Sequence, residues 1–241
     1  MVKMTNNRKE LEDKSLENIG IRVEPPSVYK FPNGNPRLPE QGDWIDYFNC
    51  QKGEIEGKKM MSASDLYRAG QIWSDKSLQC LREEFKYRRT LITSTRSCYD
   101  LHSFGARIIQ DFGSMVPGVK PVEERVDYVP HFDYDGEKIK WVINISHIAF
   151  IRALFNTKDD SKKISETLER LTQDEIENIW IYTPRSWESR KPEYAGNSAA
   201  TFLYGNAKFI IRCDSRGAGV DGAFARGIPI CADTNEGGNK K

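Results

Sequence analysis

The chain has 241 residues, 36 Lys and Arg against 35 Asp and Glu, a formal net charge of +1, and 38% hydrophobic residues. Its length suits one large domain or two small ones, and its 11 Phe, 10 Tyr and 5 Trp supply anchors for a core. The near-neutral balance excludes a histone-like protein whose whole surface grips nucleic acid.

In chain order, residues 1–20 are polar, carry both charge signs and read as a mobile tail. Residues 21–43 hold Pro25, Pro26, Pro32, Pro36 and Pro39 and read as an extended arm. Ser62-Ala63-Ser64-Asp65 resembles a capping box opening a helix with Leu66, Ala69, Ile72 and Trp73 at helical spacing. Gly70 weakens that helix, and Ser74 restarts it with Leu78, Leu81 and Phe85.

The period then changes. Thr90 to Ser97 is β-branched and reads as a strand, with Ala106 to Phe112 and Arg125 to Val129 as further candidates. Trp141 to Phe155 reads as a buried helix, since Asn144, Ser146, His147 and Arg152 interrupt it and no run reaches the ~18–20 apolar residues of a membrane span. Asp159 or Asp160 caps a helix with Ile164, Leu168 and Leu171 on one face. Thr172 to Glu175 is a second capping-box match before a short helical turn, and Asn178 to Thr183 reads as a buried strand. Thr201 to Tyr204 and Lys208 to Cys213 form a hairpin around Gly205-Asn206. A glycine-rich loop runs to Gly227, Ile228 to Cys231 adds a short edge strand, and 232–241 is a disordered tail.

Strands and helices do not alternate strictly. The expected fold is therefore α+β: one domain over 44–231, with a mixed or antiparallel sheet of about five or six strands and three to four helices. Cys50, Cys80, Cys98, Cys213 and Cys231 are odd in number and form no C-x-x-C pair, so neither a disulfide framework nor a zinc site is expected. With no apolar leader in MVKMTNNRKELEDK, the expected setting is a reducing cytoplasm.

Motifs for catalysis are thin. Gly217 to Gly222 spells G-x-G-x-x-G, yet Gly227 and Pro229 leave no room for the helix a dinucleotide site needs. His102, His131 and His147 are dispersed. Asp46 with Glu56-Gly57-Lys58 matches the spacing of a metal-dependent nuclease, but the same D/E-x-K recurs at Glu12, Glu84 and Asp160. Thr93-Ser94-Thr95 with Glu175-Ile176-Glu177 resembles fragments of the ADP-ribosyltransferase pattern, a resemblance that makes Glu177 catalytic. It departs from that pattern at Thr93 and Thr95, in the long gap to Glu175 and in lacking a strand Arg upstream. No cofactor or metal is expected.

Charge distribution carries the leading expectation. One band, Leu81 to Arg107, sets Arg82, Lys86, Arg88, Arg89, Arg96 and Arg107 against Glu83, Glu84 and Asp100. A second, from Ile181 to Ile230, holds Arg185, Arg190, Lys191, Lys208, Arg212, Arg216 and Arg226 against four acids. The guanidinium fork suits phosphate. The expected ligand is nucleic acid or a phosphorylated small molecule, held by Ser94, Arg96, Arg185, Trp187, Arg190, Arg212, Arg216 and Arg226, with Trp187 able to stack on a base. This requires the first strand and the final hairpin to lie side by side. The competing classes are an enzyme and a structural protein, the latter forming homo-oligomers through the Pro-rich arm.

Overall fold

The computed structural model describes residues 20–23, 29–30, 36–37, 39–86, 90–99, 105–126, 138–140, 148–173, 176–181, 197–205, 208–215 and 224–230. The tails, His102, His131, His147, the G-x-G-x-x-G stretch and the first part of the predicted 141–155 helix lie outside them.

The architecture is α+β, with twelve strands and five helices among the described residues, more of each than the sequence suggested. A seven-stranded sheet runs in the order β7 (Val122–Val126), β6 (Ala106–Gln110), β5 (Thr90–Tyr99), β10 (Asn197–Gly205), β11 (Lys208–Ser215), β9 (Ile176–Ile181), β8 (Lys138–Lys140). All its neighbours are antiparallel except β11 and β9, so the sheet is mixed. A three-stranded sheet joins β1 (Ile21–Val23), β12 (Ala225–Pro229) and β4 (Lys58–Met60). The two-residue strands β2 (Tyr29–Lys30) and β3 (Pro36–Arg37) pair with each other.

Helices α2 (Ala63–Ile72), α3 (Asp75–Lys86), α4 (Ile148–Phe155) and α5 (Ser161–Thr172) share the main core with Leu91, Ala106, Ile108 and Val126. The predicted capping residues hold. Asp65 N donates to Ser62 Oγ at 3.1 Å, Ser77 N to Ser74 Oγ at 3.2 Å, and Lys163 N to Asp160 Oδ1 at 2.8 Å. Gly70 has a packing reason: a Cβ there would meet Thr167 Cγ2 at 3.0 Å, so its absence lets α2 and α5 cross closely. Arg170 on α5 reaches back to cap α2, with Nη1 donating to Gly70 O at 2.6 Å and Nη2 to Trp73 O at 2.5 Å.

Four expectations need correction. Ile72 is 65% exposed, because the buried arc of α2 passes through Ala63, Leu66, Tyr67 and Gly70 instead. Thr172 closes α5 rather than opening a helix: its hydroxyl donates to Leu168 O, Gln173 takes a left-handed cap with φ 58°, and β9 starts at Ile176. A helix, α1 (Gln41–Asn49), begins inside the predicted arm. The last strand is central to its sheet, between β1 and β4. Gly227 makes that possible, since a Cβ there would stand 3.0 Å from the Phe48 ring of α1.

A second core gathers Trp44, Ile45 and Phe48 of α1 with Val23, Ile55, Met60, Ala225 and Ile92. The large sheet thus separates the two cores: Leu91 packs with the helices and its neighbour Ile92 with α1. In register, Leu91 runs on to Phe202, Ile211, Ile179 and Ile139, and Ile92 to Thr201, Arg212, Trp180 and Lys138.

Candidate functional site

Strand β5 pairs with β10, the first strand of the final hairpin, so Arg96 of one band and Arg212 of the other lie in one sheet. The ladder breaks in the middle: Arg96 faces Ala199 and Ile92 faces Thr201, so Thr93, Ser94 and Thr95 together oppose one residue of β10. The fully buried Gln41, first residue of α1, fits this bulge. Its Nε2 donates to Thr93 O at 2.6 Å and Thr95 O at 2.8 Å.

Ser94 turns into the protein. Its hydroxyl lies 3.2 Å from Met60 O and 3.1 Å from Asp111 Oδ1. Lys59 Nζ bridges Asp111 Oδ2 at 2.8 Å and Asp65 Oδ2 at 2.9 Å, and Asp65 also accepts from Ser62 N and Oγ. Burial works against the Lys59 charge, but Asp65 and Asp111 outweigh it and hold the ammonium above its ordinary value. Burial pushes the Asp111 carboxyl up, against the pull of Lys59. The adjoining cleft, between Phe48, Met60, Ser94 and Asp111, measures about 10 Å³, room for about one water. This cluster ties β4, α2, β5 and the end of β6 together and is closed to a ligand.

Arg96, two residues on, has the opposite character. Its Nε donates to Gln41 Oε1 at 2.8 Å, and its guanidinium lies 4.0 Å from the centroid of the Phe112 ring. Those two contacts fix the plane of the fork. No carboxylate pairs with it, and neither terminal nitrogen has a hydrogen-bond partner among the described residues. Burial pushes its pKa down while Cys98 and Glu40 pull it back, and a guanidinium remains charged under those conditions. Partial burial has stripped water from this cation, and Glu40 acts on it without an ion pair among the described residues, so an incoming anion gains more here than at an exposed Arg. By register Arg107 and Arg125 follow on the same face, and Arg107 is 57% exposed in a loose 3.6 Å pair with Glu123.

The other predicted contacts divide. Arg226 is 2% exposed on β12 and pairs with Glu84 at 2.5 Å, its Nη1 donating to Gly20 O at 3.3 Å. It belongs to the interior rather than to a loop. Arg82 is likewise internal, donating to the Arg170 and Leu171 carbonyls at the end of α5. Arg212 lies on β11, in register with Thr201 and Trp180. Arg185, Trp187, Arg190 and Arg216 lie outside the described residues.

Glu177 lies on β9, which β10 and β11 separate from Ser94 on β5, about 14 Å at ordinary strand spacing. Asp46 and Glu56 are exposed, and Lys58 Nζ donates to Glu54 O at 2.7 Å. No group of three or more His, Cys, Asp and Glu residues is placed to hold a metal among the described residues, and no described helix is long and apolar enough to cross a membrane. On the arm, Val23 is fully buried and β1 pairs within its own chain.

Sequence reasoning missed Gln41 and Phe112 as the two groups that hold Arg96. Only the α1 stripe of Trp44, Ile45 and Phe48 gave a signal, and it pointed to a helix rather than to its first residue. Comparison of the chain with protein-family models, with curated proteins and with solved structures finds no match.

Proposed function

We propose that this chain binds a phosphate-bearing ligand, with nucleic acid as the leading class, on the sheet face that carries Arg96 and Arg107, with Arg212 on the same sheet. The observation that carries this reading is the Arg96 guanidinium, oriented by Gln41 and Phe112, whose terminal nitrogens have no hydrogen-bond partner among the described residues. The register supports an extended site. Arg125 falls on the same face by its register with Arg107, and Lys208, Lys138 and Lys140 lie on further strands of the same sheet. Ser94 and Arg226 serve the fold beneath the site, not the contact itself. The free thiols Cys50, Cys80 and Cys98 accord with a cytoplasmic setting.

The test is binding of a labelled oligonucleotide across a salt series. A protein that neutralises several phosphates gives a log–log slope of about −0.7 to −0.9 per phosphate. Three contacts predict a slope near −2 to −3 by that rule. Absent binding, or binding indifferent to salt, overturns the reading.

A further inference from the structure

We infer that Glu123 is a built-in competitor for the proposed ligand: its carboxylate occupies Arg107 in the free protein, and a bound phosphate displaces it. The inference rests on the function proposed above and adds to it a residue that sets affinity. The ladder gives the geometry. Arg96 pairs with Ile109 and Cys98 with Arg107, and on the next strand Ile109 pairs with Glu123. Arg96 and Arg107 are therefore diagonal neighbours on one face of β5 and β6, about 7–8 Å apart at Cβ and within reach of long side chains. Glu123 belongs to the same face, in the row of Arg96 and beyond the half-buried Ile109. The Cys98 thiol registers all three charges. Burial raises it, Arg107 and Arg96 pull it back down, and Glu123 pushes it up. Two guanidinium groups and one carboxylate thus lie round a single side chain.

The Arg107–Glu123 contact is one that opens readily. Its 3.6 Å separation exceeds the about 2.7–2.9 Å of a charge-assisted hydrogen bond, and its members are 57% and 47% exposed. Such a pair adds little to stability, so parting it costs little. Carboxylate and phosphate offer a guanidinium the same pair of oxygens, and each can take the place of the other. They differ in what else they reach. Glu123 pairs with Arg107 and, among the described residues, forms no ion pair with Arg96. A phosphate on Arg107 can also engage Arg96, whose terminal nitrogens have no partner among the described residues. An anion served by two arginines outcompetes one served by a single arginine.

The full-length chain, as wild type and as Glu123→Gln, is titrated with a fluorescein-labelled oligonucleotide of about 16 nucleotides at one fixed salt concentration. Glu123→Gln is expected to bind about three- to fivefold more tightly, the scale of a surface ion pair that no longer has to be given up. Glu124→Gln controls for charge alone. It removes the same charge one residue away, but Glu124 pairs with Ile108, which packs into the helix core, and so belongs to the other face. That variant is expected to stay within about twofold of wild type. In an Arg107→Ala background the gain from Glu123→Gln is expected to vanish, because the competitor has nothing left to occupy. Wild-type binding with no gain in Glu123→Gln, an equal gain in Glu124→Gln, or a gain that persists without Arg107 overturns this inference and leaves the proposed function standing. No binding by wild type or by Glu123→Gln overturns both. Glu123 and Glu124 are exposed, so neither change disturbs the core.

Discussion

Ser94 and Arg96 are two residues apart on β5, yet they open onto regions built on opposite principles. Around Ser94, opposite charges pair inside the protein: Lys59 lies between Asp65 and Asp111, and Ser62 and Ser94 take up remaining carboxylate capacity. Around Arg96, Gln41 and Phe112 hold a cation by its Nε and by its face, and no described residue bonds its outer edge. A buried polar cluster that closes on itself fixes geometry, because opening it costs the desolvation of every member. A cation oriented but not neutralised keeps its electrostatic capacity for something else. Arg226 makes the same point from the interior: paired with Glu84, it resembles Arg96 in residue type alone.

The largest expected effect lies on the closed side. Arg226→Ala leaves Glu84 part-buried without its partner, and breaking such a pair costs about 3–5 kcal/mol. Urea denaturation should show that loss. A change below about 1 kcal/mol would mean the pair is no stronger than a surface contact, and the division between a structural Arg226 and a ligand-facing Arg96 would fall.

Next comes Lys59→Met, expected to cost about 3 kcal/mol at neutral pH because Asp65 and Asp111 then face each other unneutralised. The pH dependence has a definite sign. The folded pKa of Lys59 is raised, so its contribution is complete below the ordinary value of 10.5 and disappears as pH rises through the higher folded value. The variant therefore lacks that alkaline loss. Asp111 is also raised, by burial, and rises further once Lys59 is gone; its contribution is present below the ordinary 3.8 and lost as pH climbs through the folded value. The stability deficit of the variant should accordingly shrink in acid. A deficit that is flat between neutral and acid solution contradicts the closed-cluster description.

Much of this contrast was legible in the sequence only as ingredients. β5, the hairpin, α3 and α5 follow from local pattern, because β-branched runs, a Gly-Asn turn and capping residues act over a few neighbours. The adjacency of β5 and β10 links residues about a hundred positions apart, and no local signal encodes it. The fate of each Arg was likewise hidden. Arg96 reads as a cation among hydroxyls and Arg226 as one beside a glycine-rich loop, and only folding brings Gln41 with Phe112 to the first and Glu84 to the second. Gln41 was the least visible of all: it lies in a proline-rich stretch, and its role depends on a bulge fifty residues away.

On the open side the effects are smaller in stability and larger in binding. Arg96→Ala should cost about 1 kcal/mol of stability, for the Gln41 carbonyl oxygen left without its donor, and about tenfold in affinity for a phosphate-bearing ligand. Arg96→Lys should not restore binding, because an ammonium keeps the charge but lacks the planar fork that Phe112 and Gln41 orient. Full restoration by Lys would show that charge alone matters and that the held geometry contributes nothing.

The smallest effect sharpens the comparison most. Arg107 is exposed, its 3.6 Å pair with Glu123 is weak, and Arg107→Ala should leave stability within about 0.5 kcal/mol. If its role is to meet a phosphate, the variant should lose about one unit of salt slope and weaken binding alike for every sequence tested. Arg226→Ala, assayed under conditions where it stays folded, should leave that slope unchanged, since a cation 2% exposed releases no counterion when a ligand arrives. The two arginines then separate on independent axes, Arg226 on stability and Arg107 on salt slope, with Arg96 moving both. Equal slopes for wild type and Arg107→Ala would confine the binding face to the β5–β11 side of the sheet and leave Arg107 as an ordinary solvated charge.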